Sequence, residues 1–170
     1  HLLFLFLLSA LFFLLNNIFS GNRNLVIEFS TGTWCVFCPF GVIVADSILV
    51  TYPNTVVIGY HSGGNDPFAI FPGSGIFSMM GYQASPTACI NRQNHPGNGG
   101  VYPYMTYAMW SARTALLYNT SPLTVIDVVI TSKNYNAATR ELTAAVNSTA
   151  IQNLTGQYKI HFIIAEDNII

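Results

Sequence analysis

The sequence predicts an α/β domain that is followed by an antiparallel β-rich region. Short runs of strand-forming apolar residues at 25–30 and 55–61 are typical of buried strands, and the segment 39–52 between them carries apolar residues at helical spacing. After residue 120 the pattern changes to alternating runs with turn signals between them, which is typical of antiparallel strands. We therefore predict a domain boundary near residue 120.

The composition indicates one ordinary folded domain, or a small domain with part of a second, within 170 residues. Hydrophobic residues make up 51% and charged residues 8% of the chain, which excludes intrinsic disorder. The formal net charge is -1 and the six Lys and Arg residues are scattered, so we expect no nucleic-acid partner. Three cysteines are too few for a small fold held together by disulfides.

An uncharged apolar run occupies residues 1–15. It is short for a membrane-spanning helix, which needs about 20 apolar residues, and it fits the apolar core of a signal peptide. We predict that residues 1–20 are part of a signal peptide and that the chain is exported to the periplasm, the outer membrane or the extracellular space. A retained membrane anchor is the alternative. Because the first residue is His and the usual basic leader is missing, we expect the sequence to be cut at its N-terminus.

Turn residues and helical spacing predict the elements of the first domain. The first helix is expected over 39–52, because its leading proline suits the first turn of a helix. The Gly- and Pro-rich stretch 62–75 predicts a loop, followed by a short helix over 76–83. A third strand is expected over 87–91 and a further helix over 103–118.

The region 121–170 is predicted to be β-rich. Alternating residues over 123–131, a turn at 133–136 and strand candidates at 141–147 and 157–166 indicate antiparallel strands. Three such strands would leave an open sheet edge. We therefore expect the start of an antiparallel β-sandwich-like region and a sequence that is cut at its C-terminus as well.

The sharpest functional signal is a pair of cysteines separated by two residues, in Trp34-Cys35-Val36-Phe37-Cys38-Pro39. The pair follows a buried strand and begins a helix, where free N–H groups and the helix dipole stabilise a thiolate. Cys35 is therefore predicted to be the nucleophile, with a lowered pKa. Cys38, expected one turn into the helix and more buried, would resolve the mixed disulfide. Trp34 would shield the disulfide or simply pack in the core.

Glu28 is a lone carboxylate inside the first buried strand. A buried carboxylate needs a reason, and burial would raise its pKa. We predict that Glu28 accepts or supplies the proton of Cys38. The alternatives are that it points to solvent from a strand edge or pairs with a lysine or arginine.

Ser85-Pro86-Thr87 is predicted to bind substrate together with Trp34. A proline just before a strand is a candidate for a cis peptide bond. In a redox site this proline would lie against the two cysteines. The backbone of Ser85 could then pair with an extended substrate by strand addition.

Glu28 through Pro39, followed by Ser85-Pro86-Thr87, resembles the thioredoxin fold. At a finer level the chain resembles the exported thioredoxin-like proteins grouped with the twenty-eight-kilodalton outer-membrane-protein family of Gram-negative bacteria. The segments that carry this resemblance are 28–35, 86–92, Trp110 and 165–169.

The resemblance implies a thioredoxin-like domain over 21–120, followed by the β-rich region. It also implies a thiol–disulfide oxidoreductase that acts on protein thiols or disulfides and associates with the bacterial outer membrane or cell surface. Two features depart from the pattern. The loop before Trp34 is one residue longer than in a typical thioredoxin, and Val36-Phe37 replaces the dipeptides of thioredoxins and isomerases, which leaves the reaction direction open.

Two other functions remain open from the sequence. The protein could be a non-catalytic envelope or surface protein in which the cysteine pair is a structural disulfide. A zinc site would use Cys35, Cys38, His61 and Cys89, but structural zinc sites usually show a second closely spaced ligand pair, which is missing here. We therefore expect no metal and no cofactor, and we expect Cys89 to be a small core residue.

Overall fold

A computed structural model describes residues 23–63, 65–69, 71–96, 100, 103–120 and 123–166, with the backbone alone for 71–74. These residues form two compact units. The first comprises residues 24–120 and 163–166, and the second comprises Arg23 and residues 123–162. The predicted signal peptide at 1–20 lies outside the described residues. Within the described part of the chain, no helix has the length and apolar character needed to cross a membrane.

The first unit is built on a four-stranded sheet. Its strands are β1 (Val26–Thr31), β2 (Val56–His61), β3 (Thr87–Ile90) and β4 (Met105–Thr106), in the order β2-β1-β3-β4. Strand β2 runs parallel to β1, whereas β3 runs antiparallel to both β1 and β4. β1 and β3 therefore each have a hydrogen-bonded neighbour on both sides, and they form the interior of the sheet.

Three α-helices connect and cover these strands. Helix α1 (Cys38–Thr51) joins β1 to β2, helix α2 (Phe71–Met80) joins β2 to β3, and helix α3 (Trp110–Thr120) follows β4 and a 3-10 turn over Tyr107–Met109. Two parallel strands joined by a helix, then two antiparallel strands and a closing helix, are the connectivity of the thioredoxin fold. The first unit is thioredoxin-like, as the sequence predicts.

The two faces of β1 contribute to different parts of the core, because successive side chains of a strand point to opposite sides. Ile27 and Phe29 belong to the larger apolar cluster, in which the rings of Phe29 and Trp110 lie 5.5 Å apart. Glu28 and Ser30 lie on the opposite face of β1, and both are buried. This second face holds the buried carboxylate of Glu28 and the buried hydroxyl of Ser30.

Two predicted boundaries in the first unit are wrong. Helix α2 begins at Phe71, inside the stretch predicted to be a loop, with Pro72 in its first turn, where a proline N–H is not needed. The segment predicted to start a helix at 103 instead forms β4 and the 3-10 turn. Strand β4 has two residues, which is too short to show a period, and it is defined by its pairing with β3.

The second unit contains a two-stranded antiparallel sheet of β5 (Ile126–Asn136) and β6 (Glu141–Ala150). The turn lies at 137–140, not at 133–136 as predicted. Asn136 explains this placement, because its side-chain oxygen accepts the backbone N–H groups of Ala138 and Thr139. The strand expected over 157–166 is absent. An alternating pattern forms a strand only where a neighbouring strand offers its backbone groups.

Candidate active site

Cys35 and Cys38 form a disulfide, with their Cα atoms 5.4 Å apart. Cys38 is the first residue of α1, not a residue one turn inside it, and Cys35 lies in the preceding turn. The N–H of Cys35 donates to Gly32 O at 3.0 Å, and the N–H of Cys38 donates to Cys35 O at 3.2 Å. Cys35 is 8% exposed and Cys38 is 4% exposed, so Cys38 is the more buried partner, as predicted.

The N-terminus of α1 contributes a partial positive charge to the environment of this pair. The sequence has no charged residue between Glu28 and Asp46. No side chain caps the N-terminus of α1, and its first turn contains no acidic residue. The partial positive charge of the helix N-terminus favours a thiolate next to it when the disulfide is reduced.

The loop before β3 lies directly against the disulfide. The Ser85–Pro86 peptide bond is cis, as predicted. The carbonyl oxygen of Ser85 lies 3.4 Å from Sγ of Cys35. Pro86 also packs against α1 at Gly41, where an added Cβ would be 3.0 Å from Cβ of Pro86. Of the sequence-predicted site residues, the structure therefore brings together the two cysteines, Ser85 and Pro86.

Trp34 is 55% exposed and is not a core residue. Its indole N–H donates to Ser62 O at 2.8 Å. The ring lies close above Gly32, where a Cβ would clash with the indole. Trp34 thus presents a large apolar surface that is held in place on one edge.

The loop that leads to Trp34 is fixed by Asp66. Its carboxylate accepts the backbone N–H of Thr33 at 2.9 Å and that of Phe68 at 3.0 Å, and it lies 3.0 Å from Nδ1 of His61. Burial by itself raises the pKa of Asp66, but the hydrogen bonds from His61, Phe68 and Thr33 outweigh it and hold the pKa below its usual range. Asp66 therefore acts as a charged clamp between the end of β2 and the active-site loop.

Glu28 lies in a separate polar cluster. Its carboxylate pairs with Arg92 and accepts the hydroxyl of Tyr60 at 2.7 Å. Burial and the hydrogen bond to Glu28 raise the pKa of Tyr60, and the hydrogen bond to Glu28 raises the pKa of Arg92. Among the described residues, the only sulfur in polar contact with the Glu28 carboxylate is that of Cys89, 4.0 Å from Oε2. The pairing with an arginine is the alternative that the sequence left open, and the proton-transfer role stays a prediction.

Cys89 is fully buried and not part of a disulfide. Its sulfur lies 3.4 Å from Sδ of Met80 and 3.7 Å from the hydroxyl of Tyr82. Burial raises the pKa of the Cys89 thiol to about 11. Cys89 is a core residue, as expected from the sequence.

A zinc site of the kind considered from the sequence would need both thiolates of the cysteine pair. In the structure these sulfurs are bonded to each other, and His61 is paired with Asp66. The described residues contain no group of three or more His, Cys, Asp or Glu side chains that could hold a metal ion.

Exposed apolar side chains surround the disulfide. Val36 and Phe37, between the two cysteines, are 77% and 58% exposed. Phe40, one turn of helix further on, is also exposed and stacks with Tyr107 at a ring distance of 6.4 Å. The disulfide is therefore bordered by exposed apolar side chains.

Sequence reasoning did not identify three residues that shape this site, namely Ser30, Asp66 and Arg92. Asp66 lies in a Gly- and Pro-rich stretch whose folded path has no periodic signal. Ser30 follows Glu28 at strand spacing, so a search for polar residues on the same strand face could have found it. Arg92 could have been proposed as a partner for Glu28, but its pairing depends on the register of β1 and β3.

No protein-family model and no curated protein matches this sequence. Among solved structures, the chain is similar to the crystal structure of thioredoxin O2 from Arabidopsis thaliana in the oxidized state. The TM-score is 0.41 at 16% sequence identity, and the match covers 56% of this chain and 76% of that chain. The class of the first unit, a thioredoxin-like fold with a Cys-x-x-Cys disulfide, rests on the strand order and on the positions of the cysteines and the cis proline. Membership of the twenty-eight-kilodalton outer-membrane-protein family stays a prediction.

Proposed function

We propose that the protein is an exported thiol–disulfide oxidoreductase that acts on protein thiols or disulfides. One observation carries this proposal: the Cys35–Cys38 disulfide lies at the uncapped N-terminus of α1, with the carbonyl oxygen of Ser85 at 3.4 Å from Sγ of Cys35. A helix N-terminus favours the thiolate that exchange requires. The adjoining cis-proline loop offers a backbone to which an extended chain can pair.

The reaction is a two-step exchange of sulfur bonds. In the reducing direction, the Cys35 thiolate attacks a substrate disulfide, forms a mixed disulfide and releases one substrate thiolate, which takes up a proton. Cys38 then loses its proton and attacks Sγ of Cys35, which forms the Cys35–Cys38 disulfide and releases the second substrate thiolate. Two electrons pass from the cysteine pair to the substrate. The reverse sequence oxidises a substrate dithiol and reduces the pair.

The exposed apolar side chains beside the disulfide support a protein substrate. Trp34, Val36 and Phe37 would contact apolar side chains of the partner, while the Ser85 backbone pairs with its main chain. No charged side chain interrupts the sequence around the cysteines, so the partner is recognised by apolar contact and backbone pairing.

A trapping experiment tests this function. In Cys38→Ser the second step is blocked, so incubation with a peptide that contains a disulfide should accumulate a mixed disulfide at Cys35. Cys35→Ser is the matched control, because the remaining Cys38 is only 4% exposed and should form little adduct. Equal adduct formation in both variants, or none in either, would contradict the proposed roles.

A second candidate is a non-catalytic protein in which the pair is a structural disulfide. The low exposure of both cysteines favours it. This candidate predicts that the reduced pair reacts slowly with any disulfide and reoxidises at a very low potential. The Cys38→Ser variant would then form no mixed disulfide under conditions where a small free thiol does.

Export and association with the bacterial outer membrane rest on the apolar run at 1–15 and on the family resemblance. Export is tested by a fusion of the full chain to a reporter enzyme that is active only after export, expressed in a Gram-negative host. The full chain should give reporter activity, and a variant lacking residues 1–20 should not. Equal reporter activity from both fusions would contradict the role of this segment.

A further inference from the structure

Ser30 is a fully buried hydroxyl on the polar face of the central strand β1. It contacts five polar atoms of the segment that carries the cis proline. Its oxygen lies 2.9 Å from Ala84 O, 3.0 Å from the hydroxyl of Ser85 and 3.1 Å from the backbone nitrogen of Thr87. The hydroxyl and the carbonyl oxygen of Thr87 lie slightly further away, at 3.2 Å and 3.3 Å. These partners lie on both sides of the cis peptide bond.

The hydrogen-bonding capacity of this hydroxyl is fully used. A serine hydroxyl donates one hydrogen bond and accepts two. Ser30 donates to Ala84 O and accepts from the Ser85 hydroxyl and from the Thr87 N–H. In Ser30→Ala the backbone N–H of the buried Thr87 would lose the Ser30 oxygen as its acceptor, whereas Ala84 O would still accept from the Thr87 hydroxyl at 2.7 Å. Residues 84–87 are therefore held against β1, one of the two interior strands of the sheet.

The hydrogen bonds of Ser30 also affect the peptide group that contacts the disulfide. The hydroxyl of Ser85 points to Ser30, while its carbonyl oxygen lies 3.4 Å from Sγ of Cys35. The hydrogen bond between the Ser85 and Ser30 hydroxyls thus helps to fix the orientation of the Ser85 peptide group beside Sγ of Cys35. Removing Ser30 would remove this hydrogen bond to the Ser85 side chain and leave the peptide group less firmly held.

We propose that Ser30 is a positioning residue that holds the Ser85 backbone in the orientation needed to pair with an extended peptide substrate. This inference rests on the proposed thiol–disulfide exchange and names its substrate class. A peptide disulfide aligns with the loop before its sulfur is attacked. A small disulfide without a peptide backbone has nothing to align, so its reaction depends on Cys35 alone.

Single-turnover exchange distinguishes positioning from a general structural role. Pre-reduced protein is mixed with increasing concentrations of a disulfide-containing peptide, and in a parallel series with hydroxyethyl disulfide. In Ser30→Ala the half-saturating peptide concentration should rise roughly tenfold, the size of a lost buried hydrogen bond. The rate with hydroxyethyl disulfide should stay within about twofold of wild type, because the helix terminus beside Cys35 is unchanged.

Thr114→Val is the matched control. Thr114 is also fully buried, on α3, and its hydroxyl has no hydrogen-bond partner among the described residues. Its removal should leave both reactions unchanged.

Equal losses with the peptide and the small disulfide in Ser30→Ala, or no loss with either, would overturn the proposal.

Ser85→Ala covers the case in which Ser30→Ala does not fold. It deletes one hydroxyl of a half-buried residue and leaves the backbone intact, and it should raise the half-saturating peptide concentration about threefold; an unchanged value would contradict the proposal. A wild-type chain that exchanges with neither disulfide would overturn the proposed function and this inference with it. An active wild type with an unaffected Ser30→Ala variant would overturn this inference alone.

Discussion

Glu28 and Arg92 form a two-point ion pair across the β1–β3 side of the sheet. Nε of Arg92 lies 2.7 Å from Oε2 of Glu28, and Nη2 lies 2.6 Å from Oε1. Glu28 is 2% exposed, so its charge is compensated almost entirely by this guanidinium and by the hydroxyl of Tyr60. The pair explains how a carboxylate can be accommodated inside a buried strand.

We expect Arg92→Ala to be strongly destabilising. It leaves the buried carboxylate of Glu28 without its counter-charge, which costs about 3 kcal/mol of unfolding free energy at neutral pH. Urea denaturation of the variant and the wild type measures this loss.

Glu28→Gln combined with Arg92→Ala serves as the control. It removes both charges and should be less destabilised than the sum of the two single variants. The single Glu28→Gln variant also tests proton transfer. If Glu28 accepts the proton of Cys38, this substitution should slow the second exchange step. A single Arg92→Ala variant as stable as wild type would contradict the structural role of the pair.

Cys89 should be chemically silent in the folded protein. It is fully buried, and its thiol has a pKa of about 11, so little thiolate forms near neutral pH. After reduction of the disulfide, iodoacetamide should label Cys35 first, while Cys89 is labelled only when urea unfolds the chain. Mass spectrometry of the labelled peptides gives both rates. Labelling of Cys89 at the rate of Cys35 in the native state would contradict the buried placement.

Gly41→Ala should lower stability despite the better helix propensity of alanine. The new Cβ would lie 3.0 Å from Cβ of Pro86 and 3.1 Å from Cη2 of Trp110, and both neighbours are rigid rings. Overpacking of this kind costs about 1–3 kcal/mol, which exceeds the gain of about 1 kcal/mol from propensity.

Gly75→Ala is the matched comparison for Gly41→Ala. Gly75 lies in α2, and a Cβ there meets no atom within 4 Å. This variant should gain about 0.5–1 kcal/mol. Thermal unfolding of the two variants separates the effects, and a stabilised Gly41→Ala variant would contradict the close packing of Pro86 on α1.

The Asp66 clamp should weaken in acid. The pKa of Asp66 in the folded protein lies below its usual value of 3.8. A lowered pKa means that the folded state binds the proton less tightly than the unfolded state. The stabilisation is therefore present above about pH 4 and is lost as the pH falls through the folded-state pKa.

Asp66→Asn should accordingly be less stable than wild type at pH 7, and this difference should shrink at pH 3. Urea denaturation at both pH values measures it. Asp46→Asn, at an exposed position of α1, is the control for the substitution itself. A constant difference between Asp66→Asn and wild type at the two pH values would show that the carboxylate charge is not the stabilising feature.

The sequence predicted the elements whose signals are local. The runs that become β1 and β2, the proline in the first turn of α1 and the cysteine spacing are each contained in a few neighbouring residues. The cis bond before Pro86 was also predicted from its place ahead of β3. These features needed no knowledge of distant parts of the chain.

The missed features depend on partners that are far apart in the sequence. The ion pair of Glu28 with Arg92 requires the register of β1 against β3. Strand β4 forms because Met105 pairs with Ala88. A strand of two residues has no alternating pattern from which this pairing could be predicted. The clamp at Asp66 depends on a loop path that no periodic signal describes.

A redox titration of the Cys35–Cys38 pair, combined with the pH dependence of Cys35 alkylation, tests the central claim most directly. Exchange chemistry predicts a midpoint between about −270 and −120 mV, the range of working oxidoreductases. It also predicts a Cys35 thiolate that forms below about pH 7.5. A midpoint below about −300 mV, together with a thiol that reacts only near about pH 8.5, would contradict the enzymatic role and identify the pair as a structural disulfide.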